Sequence, residues 1–161
     1  MSDPRHYSRT QIGLHWLVVV MIVFEYVLSD RIVALWDARM SGAIANQAVS
    51  DLHVVVGIMI LMVALWRLVL VWRNGLPPLP KATSTNLRRF VRVMDALFYV
   101  TLFAMPASGA VAWFFGSVPA IRVHHLCEFL LVALVVVHIA GALVQQFWIR
   151  NGVPRRMLGL N

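Results

Sequence analysis

The chain has 161 residues, of which 60% are apolar and 13% charged, and its formal net charge is +7. Soluble globular domains average roughly 45–50% apolar and about 25% charged residues, so this composition excludes a soluble enzyme domain. The positive charge raises the question of nucleic acid, but the sequence has no zinc motif, no aromatic-basic sheet motif and no basic recognition helix. The single cysteine excludes an internal disulfide.

Four apolar stretches, residues 12–28, 52–72, 93–115 and 124–148, are each close to the length that crosses about 30 Å of hydrocarbon. The first follows Arg5 and Arg9, as a signal peptide would. It contains His15 and Glu25, however, and no small-residue cleavage site follows it, so we interpret it as a retained helix. The sequence therefore predicts an all-α integral membrane protein, a four-helix bundle formed as one domain by residues 1–161.

Lys and Arg are distributed unevenly over the segments outside these stretches. Ten lie in the two tails and the 73–92 connection, which includes Lys81, whereas three, Arg31, Arg39 and Arg122, lie in the other two connections. Because positively charged connections stay in the cytoplasm, both termini and the middle loop are predicted to be cytoplasmic.

The connections and the third stretch carry further predictions. Gly75 and the prolines within residues 77–80 exclude a helix there, since proline has no amide hydrogen and restrains the preceding residue. Residues 30–47 space three apolar side chains about one turn apart among polar residues, which predicts an amphipathic helix on the outer surface. Pro106 and Gly109 predict a bend in the third helix.

Four of the six histidines, His15, His53, His124 and His138, fall inside or at the mouth of the apolar stretches. An ionisable side chain at membrane depth is costly and usually faces the bundle interior with a partner. Metal coordination provides such a partner, because neutral imidazole is a good ligand for iron. Depth pairs His53 with His124 near the outer side. It pairs His15 with His138 about 21 Å further in, because 14 residues separate the two histidines of the fourth helix.

Rotation about the helix axis distinguishes His124 from its neighbour His125. At about 100° per residue, the 14 residues from His124 to His138 return to within ~40° of the starting face, whereas the 13 from His125 end ~140° away. We therefore assign His124 to the pair. His125 is interpreted as a surface or supporting residue, and His6, in the polar tail, as solvated.

Two imidazole pairs stacked across a four-helix bundle are suited to two b-type haems. These would be held by coordination and packing, since the sequence has no C-x-x-C-H motif for covalent attachment. Gly57 lies one turn after His53 and Gly141 almost one turn after His138, so each could make room for a flat macrocycle. Packing between helices explains either glycine equally well.

Six features are specific in combination: Tyr7-Ser8-Arg9 followed by Leu14-His15-Trp16, Leu52-His53-Val54 with Gly57, Trp66-Arg67-Leu68, Pro77-Pro78-Leu79-Pro80-Lys81, Pro106 to Gly109, and the 14-residue spacing from His124 to His138. Together they resemble the bacterial cytochrome b561 family over essentially the whole chain. The resemblance implies a multi-pass protein of the bacterial inner membrane that holds two haems b and exchanges electrons with ubiquinone. It carries the four ligand roles onto His15, His53, His124 and His138. In the best-described branch it also implies oxidation of superoxide to dioxygen at the outer face.

Two positions depart from that family pattern. His125 stands where a glutamate often follows the first histidine of the fourth helix. Asp95 stands where a histidine is often found, eleven residues before the proline of the third helix. Neither departure touches the four histidines.

The two arginines nearest the predicted sites each allow two interpretations. Arg67 lies 14 residues after His53, so it shares that face at cytoplasmic depth and could pair with a haem propionate or a quinone headgroup. The plainer alternative is an arginine that extends to the lipid headgroups. Arg122, two residues before His124, could attract an anion or pair with a propionate, or it could be a solvated loop charge.

The remaining polar and aromatic candidates have weaker signals. Glu128, one turn after His124, could take up protons or hold a ligand's ring N–H, and Glu25 could simply extend to the outer interface. Trp148 and Lys81 are candidates for a quinone contact, although Trp148 is explained first as an interfacial anchor. Cys127 is expected to be a small core residue.

Three functions stay open from the sequence. The first is a self-sufficient haem b oxidoreductase that passes single electrons from superoxide, or another outer donor, to ubiquinone. The second is a haem b membrane subunit that relays electrons between the quinone pool and a separate dehydrogenase or c-type cytochrome. The third is a transporter whose histidines bind metal ions or protons; it predicts no Soret absorbance, whereas the first two predict two low-spin haems per chain.

Overall fold

The computed structural model describes residues 7–42, 47–76, 78, 83–150 and 152–160. These ranges contain four long helices: α1 (Arg9–Met40), α2 (Gln47–Asn74), α3 (Thr85–Phe115) and α4 (Val118–Leu143). α4 continues into a π-helical segment (Val144–Ile149), which is followed by the short helix α5 (Val153–Met157). All four long helices are long and apolar enough to cross a membrane, and no strand occurs in the described ranges. The predicted all-α, membrane-spanning architecture is confirmed.

The long helices pack in chain order, α1 against α2, α2 against α3 and α3 against α4. We call the end where α1 begins and α4 finishes the termini end (residues 7–16, 74–76, 150 and 152–160), and the other the hairpin end (residues 36–42 and 113–118). At the termini end, the indole N–H of Trp16 donates to the Met157 carbonyl at 2.9 Å and ties α5 to α1. At the hairpin end, the Arg39 guanidinium lies 4.2 Å from the centre of the Trp113 ring and donates to the Trp113 carbonyl.

α1 begins with a capping box that also fixes the end of α2. The Ser8 hydroxyl accepts from the Gln11 amide at 3.1 Å, and the Gln11 side-chain oxygen accepts from the Ser8 amide at 2.9 Å. The buried Gln11 side chain also donates through Nε2 to the Gly75 carbonyl at 3.4 Å. One polar side chain therefore holds two helix ends together at the termini end.

α1 is longer than the sequence pattern predicts. The pattern predicts that the first helix finishes near residue 28 and that a separate surface helix covers residues 30–47, but α1 is unbroken to Met40 and α2 begins at Gln47. For the residues that the structure describes, the prediction of a separate helix is wrong. No Pro or Gly lies between Leu28 and Met40, and the Ser29 hydroxyl bonds back to the Tyr26 carbonyl at 2.8 Å without breaking the helix. A helix of 32 residues is about 48 Å long, so α1 projects beyond the hydrocarbon.

α3 passes through Pro106 without a break and finishes at Phe115, the predicted residue. Gly116, in the left-handed conformation at φ 64°, ends the helix there. The Ser108 hydroxyl donates back to the Ala104 carbonyl at 2.7 Å, within the turn that contains the proline.

The buried core lies midway along the bundle. It is built from the apolar residues Val18, Met21, Ile60, Ala64, Leu102 and Leu131. On α1, α2 and α4, each core residue lies between the depths at which the intramembrane histidines occur, so the core separates the two ends of the bundle. Large apolar side chains elsewhere are exposed, including Trp72 at 85% and Trp148 at 88%, as expected for helix surfaces that face lipid.

Candidate functional site

The structure brings the four intramembrane histidines together as two pairs. His15 of α1 and His138 of α4 form the termini-end pair, with ring centroids 6.3 Å apart. His53 of α2 and His124 of α4 form the hairpin-end pair, with ring centroids 6.0 Å apart. An imidazole nitrogen binds a transition metal at about 2 Å and lies about 1 Å from its own ring centre, so two rings sharing one metal have centroids about 6 Å apart. Both pairs have the separation that a shared metal requires.

His53 is held by a carboxylate from α1. Its Nδ1 lies 2.5 Å from Oε2 of Glu25, whose side chain is 12% exposed. The contact leaves Nε2 of His53 available, and metal-ligating histidines usually donate their second ring N–H to a carboxylate or carbonyl in this way. The expectation that Glu25 extends to the outer interface is therefore wrong.

His124 is held by the backbone of α3. Its Nδ1 lies 2.8 Å from the Met105 carbonyl, which again leaves Nε2 available. A Cβ added at Gly109 would lie 2.9 Å from two atoms of the His124 ring. The absence of a side chain at Gly109 thus makes the space in which the His124 ring lies.

His125 does not belong to either pair. Its side chain is exposed, and its Nδ1 lies 3.3 Å from Oε2 of Glu128. Glu128 therefore holds the neighbour of His124, and the expectation that it holds the ring N–H of a paired histidine is wrong. Glu25 makes the contact that was expected of Glu128.

Aromatic rings and a positive charge surround the termini-end pair. Trp16 lies edge-on to His15, and Phe98 lies edge-on to His138, each with ring centroids 5.4 Å apart. The Arg67 guanidinium interacts electrostatically with both imidazoles. Arg67 therefore lies near this pair, as its spacing from His53 predicts.

Arg67 also belongs to a polar cluster, which we call the termini-end cluster: Tyr7, Arg67, Asp95, Tyr99 and Arg156. Burial, and then the negative charge of Asp95, raise the pKa of the Tyr7 hydroxyl above its usual value of 10.0, against the opposing effect of Arg156 and Arg67. Tyr7 therefore stays neutral at physiological pH and keeps a proton that it can donate in a hydrogen bond.

Gly57 and Gly141 face open space. A Cβ added at either position would meet no atom within 4 Å. Packing against a neighbouring helix in the described residues therefore does not explain these glycines. The open space at each glycine leaves room beside the histidine pairs, as the prediction of a flat macrocycle requires.

The donor set fits haem better than a bare metal ion. Within the described ranges, no group of three or more His, Cys, Asp and Glu side chains is placed to hold a metal ion. Each histidine pair offers two nitrogens, and a haem brings the other four iron ligands itself.

The remaining candidates lie outside these pairs. Arg122 is exposed near the start of α4, and the 88% exposure of Trp148 agrees with an interfacial anchor. Cys127 is buried, as expected for a core residue. Lys81 and His6 lie outside the described residues.

The sequence pattern does not predict three elements of the site: the Glu25 carboxylate, the Met105 carbonyl and the space beside Gly109 that the His124 ring occupies. For Glu25 a signal was available, because an acidic residue at membrane depth needs a partner as much as a histidine does. For the other two, the sequence gives no signal that would distinguish them from neighbouring helical residues.

The chain is similar to known proteins over almost its whole length. Residues 6–160 match the family model described as prokaryotic cytochrome b561. The chain is 28% identical over 158 residues to a protein named cytochrome b562 from Cereibacter sphaeroides, and the alignment covers 98% of each chain. The chain therefore belongs to the prokaryotic cytochrome b561 family, and it is a membrane redox protein of the haem b type.

Proposed function

We propose that this protein carries single electrons across a bacterial inner membrane by means of two haems b, from superoxide or another outer donor to ubiquinone. The observation that carries the proposal is the presence of two imidazole pairs, with centroids 6.0 and 6.3 Å apart, at two depths of one bundle. In this proposal His53 and His124 hold one haem and His15 and His138 hold the other. Gly57 and Gly141 leave room for the macrocycles.

The residues of the chain have distinct tasks. When bound, each haem supplies an iron that gains and loses one electron. With two imidazoles of the chain holding each iron, a bound haem would supply electron transfer to and from superoxide rather than a site that binds it. Glu25 and the Met105 carbonyl orient the hairpin-end imidazoles, and the apolar core keeps water out of the region between the two pairs.

The proposed orientation places both termini in the cytoplasm, because ten Lys and Arg residues flank the helices at that end against three at the other. The hairpin-end pair then lies toward the outer face, where the exposed Arg122 attracts an anion such as superoxide.

Ubiquinone is reduced near the termini-end cluster, where Arg67 and the neutral Tyr7 offer hydrogen-bond donors. Two superoxide anions lose one electron each to give dioxygen, and ubiquinone takes two electrons and two protons. Lys81 and Trp148 are secondary candidates for the quinone contact.

The test is spectroscopic and kinetic. Purified protein should show low-spin haem spectra with two haems per chain, and superoxide should reduce it at about 10⁸–10⁹ M⁻¹s⁻¹, close to the diffusional limit. Subsequent oxidation by a soluble ubiquinone analogue completes the proposed reaction. Slow reduction by superoxide would favour the relay subunit that serves a separate dehydrogenase, and absence of a Soret band would overturn both haem functions.

Adjacent histidines of α4 provide a matched test of the ligand assignment. His124→Ala should lose the hairpin-end haem and its reaction with superoxide, because no other described imidazole faces His53. His125→Ala should keep two haems per chain, because its ring contacts Glu128. Haem loss in the second variant but not in the first contradicts the assignment.

A further inference from the structure

The acceptors that hold the hairpin-end imidazoles differ in charge. Nδ1 of His53 lies 2.5 Å from the Glu25 carboxylate, whereas Nδ1 of His124 lies 2.8 Å from the neutral Met105 carbonyl. Among the described residues, neither His15 nor His138 has a carboxylate within hydrogen-bond distance. The two ends of the bundle therefore present different surroundings to the groups they hold.

In the described part of the chain, Glu25 has no partner besides His53 that would explain its position. It follows His15 by ten residues on α1 and therefore lies about 15 Å closer to the hairpin end. Its Oε1 is buried and accepts no hydrogen bond from the described residues, among which no Lys or Arg lies within ion-pair distance of it. A carboxyl group in an apolar membrane helix is costly to retain, so the contact with His53 is the interaction that this side chain is placed to make.

We propose that Glu25 is a positioning residue that makes the hairpin-end haem the more strongly reducing of the two haems. The inference rests on the proposed function, since it takes His53 as an iron ligand. A carboxylate that accepts the Nδ1–H of an axial histidine fixes Nε2 as the ligating atom and makes the imidazole more basic. A more basic axial ligand favours oxidised iron and so lowers the reduction potential.

The surroundings of the termini-end pair favour the same direction of transfer. The positive charge of Arg67 acts on both of its imidazoles, and a nearby positive charge favours the reduced state of a centre that gains an electron. An electron that enters at the hairpin end therefore passes downhill to the termini end. Glu25 thus gives the bundle a direction of electron transfer.

The experiment is a potentiometric titration of the haem-loaded protein with visible spectra. Glu25→Gln keeps the size of the side chain and an acceptor oxygen but removes the carboxylate charge. We expect the lower of the two midpoint potentials to rise and the other to stay in place. The equilibrium constant for electron transfer between the haems should fall about tenfold, which is 59 mV for a one-electron couple. Glu25→Ala, which also releases the His53 ring, should in addition change the low-spin electron paramagnetic resonance signal of one haem.

Glu128→Gln is the matched control, because Glu128 makes the same type of contact with His125, which lies outside both pairs. Its effect on either midpoint should be much smaller than that of Glu25→Gln. Equal shifts in the two variants would show a general effect of charge at this end and overturn the inference.

Two further variants separate this inference from the proposed function. His53→Ala should lose one haem and the lower-potential transition, which assigns that transition to the hairpin end. If His53→Ala keeps two haems, the ligand assignment itself fails. If it loses one haem while Glu25→Gln leaves both midpoints unchanged, the role of Glu25 fails and the proposed function stands.

If Glu25→Gln does not assemble, Glu25→Asp, which retracts the charge by one methylene, should give a smaller rise in the lower midpoint potential. An unchanged midpoint would overturn the inference.

Discussion

The orientation of a single ring depends on a missing side chain. The His124 ring of α4 occupies space that a Cβ at Gly109 of α3 would fill. Its Nδ1 is hydrogen-bonded to the carbonyl of Met105, which lies one turn before Gly109 on α3. The ring cannot move away from α3 without losing that hydrogen bond, which contributes about 0.5–1.5 kcal/mol. Gly109 is therefore part of the site, although it carries no functional group.

Gly109→Ala should displace the His124 ring, because the added Cβ would lie 2.9 Å from its Cε1 and Nδ1. We expect partial loss of the hairpin-end haem, from two haems per chain toward one, with a changed low-spin signal from the haem that remains at that site. Haem content and electron paramagnetic resonance measure both effects.

Gly13→Ala is the control for this substitution. Gly13 also lies in a membrane helix, but a Cβ there meets no atom within 4 Å. It should leave the haem signals unchanged and stabilise α1 slightly, because alanine is the better helix former by about 1 kcal/mol. Equal haem loss in the two variants would contradict the role given to Gly109.

At the residue scale, positions along one helix were predictable and contacts between helices were not. The spacing of His124 and His138 follows from the fixed rise and rotation of an α-helix. The contact between Glu25 and His53 depends on how α1 is rotated against α2. Because these helices are apolar on all sides, no polar face in the sequence reveals that rotation.

At the scale of the elements, helix starts are fixed by polar side chains while the helix interiors are apolar. Gln11 serves α1 twice, as the reciprocal partner of Ser8 in the capping box and as a donor to the carbonyl of Gly75 beyond α2. The extra turns at the hairpin end of α1 could not be predicted from hydropathy, because residues 30–40 are polar enough to leave the membrane yet contain no residue that stops a helix.

Gln11→Ala should destabilise the bundle by about 1–3 kcal/mol, because it leaves the Ser8 amide and the Gly75 carbonyl without these hydrogen bonds. Thermal unfolding in detergent, followed by circular dichroism, measures the loss. Ser84→Ala removes the N-cap of α3, a single hydrogen bond to the Leu87 amide at 3.3 Å, and should cost about 1 kcal/mol or less. A larger effect at Ser84 would contradict the role of Gln11 in linking two helices.

At the scale of the whole molecule, the proposed direction of transfer depends on how the chain crosses the membrane. The number of helices and the placement of the histidines at two depths could be predicted, because helix length and rise fix both. The orientation of the chain across the membrane is inferred from the distribution of Lys and Arg. Helix packing does not determine it, because the helices would pack in the same way if the chain crossed the membrane in the opposite direction.

Single introduced cysteines test that orientation. Ser41→Cys lies at the hairpin end and should react with a membrane-impermeant thiol reagent added to intact spheroplasts. Leu160→Cys lies at the termini end and should react only after the membrane is opened. Cys127 is buried, so the unchanged chain gives the background. The opposite labelling pattern would reverse the proposed faces.

Removal of the Arg67 charge tests whether Arg67 raises the reduction potential of the termini-end haem, as Glu25 is proposed to lower that of the hairpin-end haem. Arg67 acts electrostatically on both imidazoles of the termini-end pair, so Arg67→Gln should lower the midpoint potential of that haem. A downward shift of about 59 mV, which is a tenfold change in the equilibrium constant of a one-electron couple, would reduce the difference between the two midpoint potentials. Glu25→Gln reduces the same difference by raising the lower midpoint. Arg67→Lys keeps the charge and should keep most of the potential. Arg73→Gln, an exposed position in the last turn of α2, is the matched control and should leave both midpoints in place. If Arg67→Gln moves the hairpin-end midpoint instead, or if Arg73→Gln has an equal effect, the charge of Arg67 does not set the potential of the termini-end haem.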